Sequence, residues 1–198
     1  MTNFINPAMI DSFALFSDRL KAAFQRMDAA YQEAADYYDF HCSGCEDNCC
    51  RTRFHHHTLL EFFYIFKGFE ELSAEKRQDI RQKAEAVCSE SLESERRGET
   101  IRLMCPLNEN GLCLLYDYRP MICRLHGISH EIHRPDGQVL YGPGCDVFMN
   151  IAEKQKKVNF DRTPFYKEIA LLEKAFREKT GNSQGVKMTV SQMLIHFF

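Results

Sequence analysis

Apolar residues recur at steps of three and four from near the start of the chain. Ile10, Phe13, Phe16, Leu20, Phe24, Met27, Tyr31, Ala34 and Tyr38 form one continuous stripe, the pattern of an amphipathic helix. Asn6-Pro7 opens it, because Asn caps a helix well and Pro suits its first position. The pattern predicts a helix reaching almost to Asp39, roughly 45–50 Å long at 1.5 Å per residue. Such a helix packs along its own domain, with a homodimer through this N-terminal helix as the alternative.

Thr58 and Glu61 have the spacing of a capping box, and Leu59, Phe62, Phe63, Phe66 and Phe69 make the helix that follows a buried, aromatic one. Its densest apolar run, Leu59 to Phe66, is interrupted by Glu61 and is far too short to span a bilayer. Ser73 caps a third, very polar helix with a sparse stripe of Ile80, Ala84, Val87, Ser91 and Leu92. Arg96-Arg97-Gly98 reads as its end, with basic residues in the last turn and glycine beyond.

The stretch from Ile101 to Cys145 changes character. Ile128, His130 and Ile132 alternate with polar partners, Pro135-Asp136-Gly137 turns, and Val139 to Tyr141 return, so a hairpin is expected. A helix is expected near Cys145. Another runs from Thr163-Pro164 to Thr180 with Gly181 as its stop, burying Ala170, Leu171, Ala175 and Phe176. A short last helix spans Val190 to Phe198. The fold expected is mainly α, with a small β-hairpin and an irregular cysteine-rich metal-binding core. Residues 1–39 form the long first helix, 40–150 the cysteine-cluster domain, and 151–198 the helices that complete the same domain.

Composition adds compartment and partners. The 198 residues carry a formal charge of −3 and are 44% apolar, which suits a buried core and gives nucleic acid no electrostatic invitation. The N-terminus lacks a basic targeting region and places Asp11 inside its apolar stretch. A cytoplasmic, reducing setting is expected, with no membrane span. There, the nine cysteines read as metal ligands or catalytic thiols, since disulfides belong to oxidising compartments.

Eight of them form two groups: Cys42-x2-Cys45-x3-Cys49-Cys50, and Cys105-x7-Cys113-x9-Cys123-x21-Cys145. Four plus four is the number two closed tetrathiolate sites need, for zinc or for a 4Fe–4S cluster. Ligands from the two groups are expected to mix. Adjacent Cys49 and Cys50 have diverging side chains, so they serve two neighbouring centres, or one is a spare core thiol. Only one C-x2-C pair exists, whereas zinc ribbons commonly use two. Irregular spacing and the Cys105-Pro106 step lean toward iron–sulfur. Arg51, Arg119 and Arg124 lie beside or near these ligands, where they offset thiolate charge and donate to sulfur, or are ordinary surface arginines. Cys88, off the stripe of the third helix, is expected to be a free thiol.

Among the histidines, His126 follows Cys123 at C-x2-H spacing and is the reserve ligand. His55-His56-His57 cannot all face one metal and are expected at the surface. His41 is expected in a loop, and His130 and His133 on opposite strand faces.

With Pro106-Leu107, Gly111-x-Cys113, Tyr116 and Arg119-Pro120-x2-Cys123-Arg124 added, the cysteine pattern over roughly residues 40–150 resembles the CxxCxxCC family. This is the YkgJ-type cysteine cluster family, described as zinc- or iron-chelating. The resemblance implies metal chelation, often with an iron–sulfur or oxidoreductase role. The flagellin lysine-N-methylases carry a similar cysteine set, but no methyl-donor pocket is legible and that activity is not carried over. Three functions are therefore expected in order. The first is an iron–sulfur protein that transfers electrons or senses redox state with a protein partner. The second is a zinc-stabilised scaffold or interaction module. The third is a metalloenzyme with one open metal position, such as a methyltransferase relative.

Overall fold

A computed structural model describes residues 7–41, 49–153, 155–156 and 158–196. The chain divides into two units, Met1–Ser43 with Met121–Gln184, and Gly44–Pro120 with Gly185–Phe198. The segment 40–150 expected as one domain is thus shared between them. The architecture is mainly α: seven α-helices and two small antiparallel hairpins among the described residues. No helix there is long and apolar enough to cross a membrane.

In the first unit, α1 spans Pro7–Tyr37, as the stripe predicts; Asn6 lies outside the described residues. Phe13, Phe16, Leu20, Phe24, Met27, Ala34 and Tyr38 are buried. Ile10 is not: it is 46% exposed, while Met9 is 1% exposed. At 3.6 residues per turn Ile10 points roughly 80° from the centre of the stripe and Met9 roughly 20°. α1 ends in a Schellman motif. Asp39 turns left-handed at φ 51, and the Phe40 and Asp39 N–H groups donate to the carbonyls of Ala35 and Asp36.

The stripe is covered within its own unit by α6, Thr163–Thr180. Phe16 meets Phe176 edge-on at 5.5 Å between centroids, and Arg26 pairs with Glu168 across the two helices. Each such buried ring contributes about 1.5–3 kcal/mol. On α6 the buried positions are Ile169, Leu172 and Phe176, not Ala170 or Leu171. Leu171 is 68% exposed because it stands one step off the face defined by those three. Gly181 ends the helix at φ 66, as expected.

The short α4, Met121–Arg124, also packs on α1. The hairpin is β3, His130–His133, paired with β4, Val139–Gly142. A third segment extends β3: the Glu131 N–H donates to the Phe160 carbonyl, and the Arg162 N–H to the Glu131 carbonyl. That added edge explains why Glu131 is buried while Ile132 is only half-buried. α5, Asp146–Ala152, brings Phe148 edge-on against Tyr38 and Phe40 at the end of α1.

The second unit is built on α2, Leu59–Glu70, and α3, Ala74–Arg96. Thr58 caps α2, its hydroxyl accepting from the Glu61 N–H at 3.2 Å and donating to the Glu61 carboxylate at 2.6 Å. Leu59, Leu60, Phe62, Phe63, Tyr64, Ile65 and Phe69 are all buried, and only Lys67 and Glu70, near the end of α2, are exposed. Ser73 caps α3, and Gly98 stands at φ 68 beyond its end. Ile80 and Ala84 are buried, but Leu92 is exposed and Ser94 takes its place inward. Ser94 continues the face of Ile80 and Ala84, whereas Leu92 points roughly 110° away at 100° per residue. α7, Val190–Ile195, lies on α3 and opens with a capping box of Thr189 and Gln192. Phe197 and Phe198 lie outside the described residues. A two-bond bridge between His56 and Met188 ties the chain before α2 to the chain before α7.

Candidate metal centre

Three thiols of the second unit come from three separate stretches of chain. Cys50 sits in a 3₁₀ turn, Cys49–Arg51. Its carbonyl accepts the Cys105 N–H at 2.8 Å, which aligns two segments far apart in sequence. Cys105 then starts a turn that leads into β1, Asn108–Glu109, and back through β2, Leu112–Cys113. Asn110 and Gly111 stand at φ 53 and φ 86, the type I′ geometry that joins strands by two residues. This hairpin returns Cys113 toward Cys105. Leu107 and Leu115, both buried, anchor the two sides.

Cys50, Cys105 and Cys113 are close enough to influence one another electrostatically. Burial pushes the Cys105 thiol far above the ordinary range, and the anions of Cys50 and Cys113 would push it further. Burial also raises Cys113, to about 11, with Cys50 adding to the rise. Two features act in the opposite sense. The Leu107 N–H faces the Cys105 sulfur, and the Leu115 N–H faces the Cys113 sulfur. Arg119 adds positive charge near Cys113. Its Nε donates to the Tyr116 carbonyl at 2.9 Å and its guanidinium lies 3.6 Å from the centre of the Tyr116 ring. Both the Cys105 and the Cys113 thiol are protonated at neutral pH.

No disulfide joins any two of the described thiols. Among the described residues no three His, Cys, Asp or Glu side chains are gathered as a ready metal-holding group. Cys42 and Cys45, and the side chain of Cys49, lie outside the described residues.

In the first unit the thiols have a different setting. Cys123 lies in α4. Cys145 is the N-cap of α5, and its sulfur accepts the Phe148 N–H at 3.4 Å. The Cys145 N–H donates to the Gly127 carbonyl, so the loop after Cys123, which carries the half-buried His126, sets the position of Cys145. Arg162 holds that loop from behind. It is 3% exposed and donates to the carbonyls of Leu125 and Ile128. Its Nε has no partner, and burial lowers its pKa to about 10.

The other candidate side chains are distributed as follows. Arg124 is buried and pairs with Asp28 of α1, over the Phe24 ring at 4.5 Å. Arg51 is exposed. Cys88 is a half-buried thiol of α3 whose pKa burial raises. His41 is exposed beside Asp39 at 3.3 Å. His130 is half-buried and His133 exposed on β3.

His56 departs from the surface position expected of the triple-histidine run. It is 2% exposed, its Nε2 has no hydrogen-bond partner among the described residues, and burial lowers its pKa to about 3. The bridge to Met188 turns its side chain inward, which the sequence alone does not reveal. Sequence reasoning also missed the Leu107 and Leu115 amides and Arg162. Only the first pair had a local signal, the Asn110-Gly111 hairpin dipeptide.

No family model, curated protein or solved structure matches the chain.

Proposed function

We propose that this chain binds metal through its cysteine thiolates, with Cys50, Cys105 and Cys113 as three ligands of one centre. The fourth thiolate comes from the Cys42–Cys49 stretch, and Cys123 and Cys145 belong to the same eight-cysteine set, as in the CxxCxxCC pattern. The group bound is an iron–sulfur cluster of the 4Fe–4S type. One observation carries the reading: Cys50 acts electrostatically on Cys105 and Cys113 of a single hairpin, where backbone N–H groups face two of the sulfurs. A protonated thiol needs no such donors, whereas a metal-bound thiolate is stabilised by them and its potential tuned.

Cys105 and Cys113, both half-buried, bind, the Leu107 and Leu115 amides stabilise their charge, and Arg119 offsets it near Cys113. An iron–sulfur cluster held by thiolates supplies one-electron chemistry with no open position for a substrate. Electron transfer or redox sensing, with a protein redox partner, is the role that fits. Zinc is the second reading. The tight β1–β2 turn that presents Cys113 with an amide facing its sulfur also suits a zinc-holding loop, and the chain would then be a metal-stabilised scaffold.

The test is anaerobic purification of the full chain with iron, sulfide and zinc analysis. We expect brown protein absorbing near ~400 nm with matched iron and sulfide. Cys105→Ser and Cys113→Ser lower the bound iron by at least about half, because a closed site with three thiolates holds its cluster poorly. Cys88→Ala leaves it unchanged. Colourless protein with stoichiometric zinc transfers the reading to the scaffold. Protein without metal, or Cys105→Ser with the full complement, defeats it.

A further inference from the structure

β4, Val139–Gly142, is the outer strand of its small sheet. β3 lies on one side, and on the other no described residue forms a backbone hydrogen bond with it. Which of its backbone groups face outward follows from the pairing. Glu131 directs its N–H and C=O to the Phe160–Arg162 segment, and the His133 N–H donates to Thr163 Oγ1 at 2.7 Å. Both residues therefore turn their backbone away from β4. Their partners across the ladder are Tyr141 and Val139. Such partners exchange no hydrogen bonds in an antiparallel pair, and their N–H and C=O groups point away from each other. Tyr141 and Val139 thus present their donors and acceptors along the open edge.

Edges of this kind are normally blunted by charged side chains, a proline or a bulge, which keep another strand from adding to the row. From Gly137 to Gly144 this chain carries no charge. β4 pairs residue for residue with β3, without a bulge. Its side chains are apolar and open to solvent: Tyr141 is 76% exposed and Leu140 47%. Proline comes only at Pro143, which has no N–H and so ends the row beyond the strand.

We propose that β4 pairs antiparallel with β4 of a second copy of this chain, about a two-fold axis at Leu140. Val139 of each copy then lies opposite Tyr141 of the other, and the two residues exchange N–H···O bonds in both directions. Leu140 meets its own counterpart, and Gln138 lies opposite Gly142. A β-branched side chain against an aromatic one is a favourable cross-strand pair. A second copy is the occupant that fits, because the uncharged strand is complementary to itself, as a two-fold contact requires. The apolar stripe of α1, the other candidate surface for self-association, is already covered by α6. A pairing this short buries little area, so the dimer is weak. It does not depend on the metal reading and stands if that reading fails.

The test is sedimentation velocity of the full chain under reducing conditions, from about 10 µM to about 1 mM. We expect the mass of one chain at the low end and a rise toward two at the high end. Over the same range the Val139 and Tyr141 amide hydrogens exchange more slowly. Leu140→Lys places like charges directly opposite each other on the axis and weakens the dimer at least about fivefold. Leu140→Glu does the same. An equimolar mixture of the two variants brings opposite charges together and restores association. A chain that stays monomeric at about 1 mM overturns the proposal, including the case in which the edge takes a strand of another protein. A dimer that neither charge weakens lies elsewhere on the surface and overturns it too. If the variants lose the wild-type circular dichroism, the amides of the unaltered chain decide. Unchanged exchange at Val139 and Tyr141 then overturns the proposal.

Discussion

In the unit built on α2 and α3, thiols stand among thiols; in the unit built on α1 and α6, Cys145 stands at a helix end. The Cys105 and Cys113 sulfurs also face backbone N–H groups, those of Leu107 and Leu115, but they cap no helix, and Cys50 makes both of them harder to ionise. Cys145 already serves the fold, because its sulfur accepts from the first turn of α5. The same residue type thus stands beside other thiols in one place and caps a helix in the other. Identical spacing rules would not separate them; the neighbours do. Among the described residues, the α2–α3 unit buries two polar atoms without a hydrogen-bond partner, His56 Nε2 and Asn108 Nδ2, and the α1–α6 unit one, Arg162 Nε.

The largest effect is expected from Arg162→Met. The substitution keeps much of the side-chain volume but strands the Leu125 carbonyl that the guanidinium satisfies, while the Ile128 carbonyl keeps His130 Nδ1 at 3.4 Å. A buried acceptor without a donor costs about 1–3 kcal/mol. Urea unfolding of the apo-protein measures this. A loss under about 1 kcal/mol would mean that water satisfies the loop and that Gly127, which receives the Cys145 N–H, is not held from behind by Arg162.

The next effect is a pH dependence confined to His56. Its folded pKa, about 3, lies well below the 6.5 of an ordinary histidine. The unfolded chain therefore takes up the proton first. Stability from this group is fully present above about pH 6.5, declines as pH falls, and levels off below about 3. At pH 5 the loss is about 2 kcal/mol. Replacing His56 with Phe removes that slope between pH 6.5 and 5 while the rest of the acid transition remains. Equal slopes in the two proteins would show that the buried imidazole finds water or a partner on protonation.

What was legible in the sequence depended on how many neighbours a feature needed. α1 needed none: its stripe, its Asn-Pro start and its stop near Asp39 are local, and they predict Pro7–Tyr37 closely. The error at Ile10 came from starting the stripe at a hydrophobic residue instead of at the right angle. Leu171 failed for a related reason, since apolar identity outweighed position on α6. The β1–β2 hairpin was within reach through Asn110-Gly111, but strands of two residues show no alternation. The eight cysteines could be counted and not sorted. That Cys50 aligns with Cys105 depends on a backbone hydrogen bond between segments separated by α2 and α3. Glu131, His56 and Arg162 are buried by pairing with distant backbone, for which local sequence has no periodic sign.

The smallest effect bears most directly on the two kinds of thiol. Cys145→Ser keeps an N-cap acceptor, and serine is among the better caps, so the apo-protein should keep its stability within about 0.5 kcal/mol. Cys145→Ala removes the acceptor and should cost about 1 kcal/mol in the same assay. Cys105→Ser has no cap to preserve and exchanges a thiol for a hydroxyl in an apolar setting. Metal content then separates the roles. If Cys145 caps α5 and also ligates, serine restores apo stability and still lowers bound metal, because a hydroxyl is a poor ligand at neutral pH beside a thiolate. If it only caps, Cys145→Ser matches the wild type in both measurements. The contrast between the units then becomes a division of labour, with ligation resting on the Cys50, Cys105 and Cys113 group.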